Sequence, residues 1–399
     1  MVMGWISQVL GLDVNTRRLT VRTPTEYVEK TLHILAETWH KGNNTRQTFL
    51  LKDAEVMAGR LGYISETLPW LRFIMTPMYV SMAHALGESR CHLVRTDKNF
   101  RKLLKKVKAH LRFRPATEGE KGQYGKPVRH DRELRHHAYA ESQTAKRVHR
   151  TSVRFRINKT MRDELQLVYQ ALSSEWMDRW RPIGHLIPRD PTGVAWSDSC
   201  LHAAGGYSFD MGFWWYIMWP EAIKKCTLKF VVTDKEGKLI TINALEFASL
   251  IINYAASTLV LVNLRHSRDD PHPVVLLWAD NRSAEAWMIK ASSTSSGARA
   301  LGYIQAALMM NNPLGTNVGH VTSEENKVAD RISRVKSERD ILTEMNLLSQ
   351  DFPQLKSCQR FHPNAELISL ILETLSTKKF VNPLHVSRRV LACPGEITM

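Results

Sequence analysis

The second half of this sequence predicts an α/β protein, a mixed sheet flanked by helices, behind a mainly helical first segment. Three stretches carry that expectation. PVVLLWAD, Pro273 to Asp280, is a continuous apolar run of the length and type of a buried strand. Before it, ALEFASLIINYAASTLVLV reads as a helix opened by Asn243, a preferred N-cap residue. Earlier still, Val194 and Trp196 alternate as a half-buried strand does, within GVAWSDSC. Strands alternating with helical patterns build a sheet covered by helices.

Taken in order, residues 1 to about 23 predict a short hairpin, with QVLGLDV and RRLTVRT as strands around Asn15 and Thr16. Pro24 sits where a first-turn proline belongs, after Thr23 as a cap, and Val28, Leu32 and Leu35 recur at helical spacing up to Trp39. Two more apolar helices follow, near Leu51 to Leu68 and Trp70 to Leu86. In the next segment, Arg90 to Arg162, 22 Lys and Arg stand against 6 Asp and Glu, so the whole positive excess of the chain sits there. RKLLKKVKAHLRFR in it predicts a cationic helix and TEGEKGQYGKPVRHDRE a loop. MRDELQLVYQALSSEWM is again helical, and the proline pair of HLIPRDPTG marks a boundary near residue 190. Beyond it come a strand-turn-strand unit (Val194 to Cys200, Gly206 to Tyr216, turning on Gly205 and Gly206) and strands LKFVVT and KLITI around DKEGK. The helix opened by Asn243, the PVVLLWAD strand, helices from Ser283, a TNVGHV strand and a helix to Arg334 complete the domain. After Val335 one amphipathic helix, PNAELISLILETL, is expected.

The 399 residues carry 55 Lys and Arg against 39 Asp and Glu, a net charge of +16. Such a balance attracts polyanions, nucleic acid or an acidic membrane surface. No run of about 18 apolar residues is evident and the N-terminus lacks a basic signal-peptide region, so an intracellular chain without a membrane partner is expected, in nucleus or cytoplasm. The five cysteines show no C-x-x-C pair and read as packed, reduced thiols rather than a disulfide framework or zinc site.

Four acids stand out by their positions. Asp198 falls late in the first strand on the side of Val194 and Trp196, Glu246 in the first turn of the following helix, Asp280 at the end of the buried strand, and Asp330 in the helix after TNVGHV. Open α/β sheets place their sites outside such element ends. Clustered carboxylates cannot all ionise unless cations sit among them. Oxygen ligands without His or Cys point to magnesium or manganese, and two such ions can drive in-line phosphodiester hydrolysis. Each acid alone has a plainer reading: Glu246 as a dipole partner, Asp280 as a turn former or N-cap, Asp330 as surface charge.

WSDSCLHAAGGYS, INALEFASL, LLWADNRSAEAW and HVTSEENKVADRISR together resemble the ribonuclease H domain of retroelement reverse transcriptases. The resemblance runs from about Gly193 to Arg334. It implies a ribonuclease H-like mixed five-stranded sheet flanked by helices, with Asp198, Glu246, Asp280 and Asp330 as catalytic ligands of two Mg2+ or Mn2+ ions. It further implies His320 as a mobile proton-shuttle or product-release residue and Asn281, Ser283 and Asn326 as substrate contacts. Arg101, Lys102, Lys105 and Lys106 of the basic segment would hold the duplex. VLGLDV and the helices of residues 24 to 86 resemble a reverse transcriptase palm end and thumb, of the kind found in tyrosine-recombinase-bearing retrotransposons. The implied organisation is a thumb-like segment over 1–89, a basic connection over 90–190, a ribonuclease H-like domain over 191–335 and a tail over 336–399.

The implied activity is cleavage of the RNA strand of RNA/DNA hybrids, with the hybrid and the rest of a reverse transcriptase polyprotein as partners. No polymerase activity is expected, because the chain has no Tyr-x-Asp-Asp turn. The alternatives are a catalytically silent nucleic-acid-binding remnant and an integrase fragment. Glu246 directly after the third strand argues against the latter, whose glutamate would follow the second aspartate.

Overall fold

The computed structural model describes residues 6–40, 48–76, 78–79, 81–82, 154–156, 159–173, 180–187, 189–228, 240–264, 272–290, 295–312, 314–386 and 394–398. The chain divides into two compact units, one of Met1–Trp39, Leu61–Thr76 and Leu165–Met399, the other of His40–Arg60 and Pro77–Glu164. The expected cationic helix and loop, with Arg101, Lys102, Lys105 and Lys106, lie outside the described residues.

At the N-terminus β1 (Ile6–Val9) pairs antiparallel with β2 (Leu12–Asn15) across Leu10 and Gly11. Both turn residues have positive φ, 50° and 81°, which matches the twist of a two-residue hairpin. β3 (Thr20–Arg22) then returns along β2. The single hairpin expected around Asn15 is therefore the second turn of a meander, held by the Asn15 side chain accepting from the Arg17 and Arg18 N–H groups. The first turn was hidden because leucine is not a turn residue.

Helix α1 (Thr25–Ile34) follows with Pro24 itself as N-cap; the Thr23 hydroxyl is instead bonded to that of Thr67, 2.7 Å away. In the second unit β4 (Thr48–Leu50) pairs antiparallel with β5 (Arg154–Arg156). Three helices were expected before residue 86. Among the described residues the second and third are α2 (Leu51–Ile64) and α3 (Leu71–Ile74), and α4 (Lys159–Leu172) fulfils the MRDELQLVYQAL pattern. β6 (Arg181–Pro182) adds to β3.

The main sheet begins with β7 (Gly193–Ser199), β8 (Ala203–Ser208) and β9 (Phe213–Met218), an antiparallel meander. Gly205 and Gly206 lie inside β8; the turns fall on either side of it, one over residues 200–202, closed by the Cys200 N–H to the Ala203 oxygen, and one over 209–212, where Gly212 has φ 70°. Helix α5 (Glu221–Cys226) leads to β10 (Thr227–Leu228), which pairs in parallel with β11 (Ile240–Thr241) in a separate two-stranded sheet. The expected LKFVVT and KLITI strands thus do not join the main sheet among the described residues.

Helix α6 (Ile242–Thr258) starts one residue before Asn243, its cap being Thr241, whose hydroxyl accepts from the Ala244 N–H. Extended to Val262, this helix is long and apolar enough to cross a membrane, contrary to the sequence expectation. It is almost wholly buried within the fold, as a core helix would be. After it come β12 (Val274–Ala279), α7 (Arg282–Lys290), α8 (Ser296–Asn311), β13 (Gly315–His320) and α9 (Lys327–Ser333).

Residues 336–399 carry more than the one expected helix. Helix α10 (Asp340–Asp351) precedes β14 (Gln359–Pro363), and α11 (Ala365–Thr377) precedes β15 (Gly395–Thr398). The sheet has seven strands rather than five, in the order β13-β12-β7-β8-β9-β14-β15, because the tail adds two to its edge. β13, β12 and β7 run parallel, and β14 runs parallel to β9.

Apolar layers cover both faces. On one, Trp214, Tyr216, Val328, Ile332, Ile341 and Leu348 form a core between the sheet and the two helices α9 and α10. On the other lies α6, where the fully buried Trp215 donates its indole N–H to Asn253 Oδ1 at 3.1 Å. Gly205 sets how closely α9 approaches: a methyl group there would stand 2.2 Å from Ile332 Cγ2.

Candidate functional site

Asp198 pairs with Gly205 across the antiparallel ladder, one residue from the end of β7. The neighbouring β12 ends at Ala279, so Asp280 is the first residue to leave the sheet beside it. Helix α6 presents Glu246, from its second turn, to the same place. Carboxylate oxygens of Asp198, Glu246 and Asp280 lie within 4.8 Å of one another.

Asp198 and Glu246 are buried, at 5% and 4% exposure, and Asp280 is partly so. Burial, opposed by the Ser333 hydroxyl and reinforced by Asp280 and Asp330, pushes the Asp198 carboxyl up to about 6. Glu246 is held well above the usual carboxylate range, first by burial, then by Asp198 and Asp280, with the Ser199 backbone opposing. Its Oε2 has no hydrogen-bond partner among the described residues.

A buried carboxylate oxygen without a donor costs on the order of 1–3 kcal/mol, more when charged. Three acids whose oxygens lie within 4.8 Å of one another around such an oxygen could hold a metal ion. The donor set is oxygen only, without His or Cys.

Asp330 is not part of this trio among the described residues. It sits in the first turn of α9, close enough to raise the Asp198 pKa, but both its oxygens bind the Arg334 guanidinium, at 2.6 and 2.7 Å. The spacing Asp330 to Arg334, one helical turn, favours that pairing.

His320 ends β13, with Nε2 3.1 Å from the backbone oxygen of Asp280. It therefore borders the trio. Asn281 is a capping residue: its Oδ1 accepts from the N–H groups of Ser283 and Ala284, and its Nδ2 donates to Asn243 Oδ1 at 2.9 Å. Asn281, not Asp280, caps α7, which leaves the Asp280 carboxylate free for the cluster. Ser283 contributes its backbone N–H to that cap.

Asn326 departs from the expected substrate contact. It is wholly buried and donates to the Ser197 backbone oxygen at 3.1 Å, tying the start of α9 to β7. A side chain with no exposed surface cannot touch a duplex, so its role is to position.

Three residues not expected from the sequence complete the site. Ser333 Oγ donates to Asp198 Oδ2 at 2.5 Å, Ser323 Oγ donates to Asp280 Oδ2 at 2.7 Å, and Asn243 orients Asn281. Ser333 lies three residues after Asp330 and shares its helix turn, a spacing that could have drawn attention to it. Nothing local marks Ser323, which lies in the loop after β13. Compared with known proteins, the chain matches no protein-family model and no curated protein.

Proposed function

We propose that this chain is a metal-dependent endoribonuclease that cuts the RNA strand of RNA/DNA hybrids, built like the ribonuclease H part of a retroelement reverse transcriptase. The observation that carries the reading is the trio of Asp198 and Asp280, at the ends of two parallel strands, and Glu246 of α6, with oxygens within 4.8 Å of one another and one buried Glu246 oxygen unpartnered among the described residues. Support also comes from the strand order β13-β12-β7-β8-β9, which sets the two aspartates side by side.

The trio would hold Mg2+ or Mn2+, which when bound supplies charge neutralisation and Lewis acidity at a phosphodiester. The chain's own residues have separate tasks. Ser333 and Ser323 each fix one aspartate by a single hydrogen bond, so the carboxylates are oriented before anything binds. Glu246, from the hydrophobic side of α6, keeps a proton to higher pH than an ordinary glutamate until positive charge arrives. His320, anchored through Nε2 to the Asp280 carbonyl, stands ready to carry a proton at the rim. The net charge of +16 favours a polyanionic substrate, and selectivity for RNA would rest on 2′-hydroxyl contacts.

One observation favours the second reading, a silent nucleic-acid-binding remnant: Asp330 is engaged by Arg334 and leaves three acids rather than four. A labelled RNA/DNA hybrid incubated with the purified chain, with and without magnesium, separates the two. Magnesium-dependent loss of the RNA strand alone is expected. Asp280→Asn should reduce it by about 100-fold or more, since even outer-shell partners of metal ligands commonly cost 10- to 100-fold. Hybrid bound without cleavage by the folded wild-type chain would select the remnant.

A further inference from the structure

β13 is an outer strand of the main sheet, paired with β12 alone among the described residues. The ladder fixes which of its backbone groups are used. Gly315 and Val321 give their N–H groups to the oxygens of Pro273 and Ala279, so residues of odd number face β12 and those of even number face away. Thr316 and Val318 therefore turn their N–H and C=O groups outward, and none of these four groups has a hydrogen-bond partner among the described residues. Both residues are partly exposed. Edge strands are ordinarily blunted by a charge, a proline or a bulge, and Thr316, Asn317 and Val318 supply none of these.

A cavity of about 540 Å³ runs along this edge, lined by Gly315, Thr316, Asn317 and Val318. Neighbouring side chains of a strand point to opposite faces, so four consecutive residues share one cavity where it meets them along the backbone edge. Its rim is apolar: Ile289 of α7 is 49% exposed, and Met309 of α8 and Trp180 are half-buried. An extended chain set against the edge would bring every second side chain to such a rim.

Two features narrow what can lie there. The edge is recessed among walls from residues 67–70, 72–73 and 180–182 and from α7 and α8, all of one compact unit, so the equally recessed edge of a second copy cannot reach it. Among the described residues the charged side chains of these walls are Arg72 and Arg181. They repel one another and share one carboxylate, that of Glu66, which pairs with Arg72 at 2.6 Å and acts on Arg181 through space. One negative charge against two guanidiniums leaves the cavity positive, which suits a carboxylate on whatever enters it.

We propose that this edge docks an extended segment of a partner protein, which adds a strand to Thr316 and Val318, sets apolar side chains against Ile289, Met309 and Trp180, and carries a carboxylate toward Arg72 and Arg181. The surface stands whether or not the carboxylate trio is a nuclease.

The test is selection of a phage-displayed library of random dodecapeptides on the full chain, followed by fluorescence anisotropy with the enriched peptide. Enriched peptides should carry apolar residues at every second position and an acidic residue. Val318→Pro removes one outward N–H and no ladder bond, a change that edge strands accept. It should weaken binding about 10-fold, the usual effect of one lost hydrogen bond with its partner left unpaired. Ile289→Glu, at an exposed position, should weaken it at least as much, and decides if Val318→Pro fails to fold. Asp280→Asn should leave it unchanged. The proposal is overturned by a selection that enriches nothing, by apolar residues at helical spacing, or by equal affinity for the folded Val318→Pro and Ile289→Glu variants. Sedimentation showing a dimer of the full chain that Val318→Pro dissociates would equally overturn it, since a second copy would then hold the edge.

Discussion

Asp198 is pulled two ways: burial and the neighbouring acids disfavour its charge, while the Ser333 hydroxyl favours it. Because its folded pKa, about 6, exceeds the ordinary value of 3.8, the folded chain binds more protons than the unfolded one between those values. Its stability contribution is therefore fully present below pH 3.8 and lost as pH rises through 6. Asp198→Asn cannot titrate, so in EDTA the wild type should lose about 2 kcal/mol relative to it between pH 4 and pH 7, since one pKa unit is ~1.4 kcal/mol and part of the effect lies below pH 4. Denaturant unfolding at both pH values measures this, and an equal pH response in the two proteins would mean that Asp198 ionises normally. The four acids were legible as candidates from their places along the chain. The serines were not, because a hydroxyl becomes an orienting group only when folding brings it to a carboxylate 43 or 135 residues away.

Elements position these residues through close backbone approach. Gly205 lets α9 rest directly on β8, with the Asn326 amide pinning the start of the helix to Ser197 and Ser333 reaching Asp198 from its end. A Cβ at Gly205 would meet Ile332 Cγ2 at 2.2 Å and its backbone carbon at 3.3 Å, so side-chain adjustment alone cannot relieve it. Gly205→Ala should therefore destabilise the chain by about 1–3 kcal/mol, the usual cost of overpacking. It should also weaken magnesium-induced stabilisation, because α9 carries Ser333 away from Asp198. Thermal unfolding with and without magnesium checks both effects. The sequence shows two adjacent glycines and suggests a turn; they lie in a strand because the demand for space comes from a helix more than a hundred residues later.

At the scale of the molecule, the tail completes the main layer. Helix α10 supplies Ile341, Met345 and Leu348 to the core shared with Tyr207, Trp214 and Ile332, and β14 and β15 extend the sheet beyond β9. A chain ending at Val335 should thus expose that apolar face and the edge of β9, losing cooperative thermal unfolding and binding a hydrophobic dye. A sharp transition near that of the full chain would show that residues 1–335 form a self-sufficient core. From sequence this region read as one amphipathic helix and a basic end, because the short strands Gln359–Pro363 and Gly395–Thr398 carry no sustained alternation and contain or follow prolines.

By itself the sequence determined the α/β class, the buried strand PVVLLWAD, the long apolar helix before it and the element ends on which the acids sit, since period and apolar content depend only on near neighbours. Tertiary structure alone decided that three acids meet while Asp330 turns to Arg334, and that Asn281 caps and Asn326 pins. Such groupings depend on distances between segments remote in the chain, which no local pattern encodes.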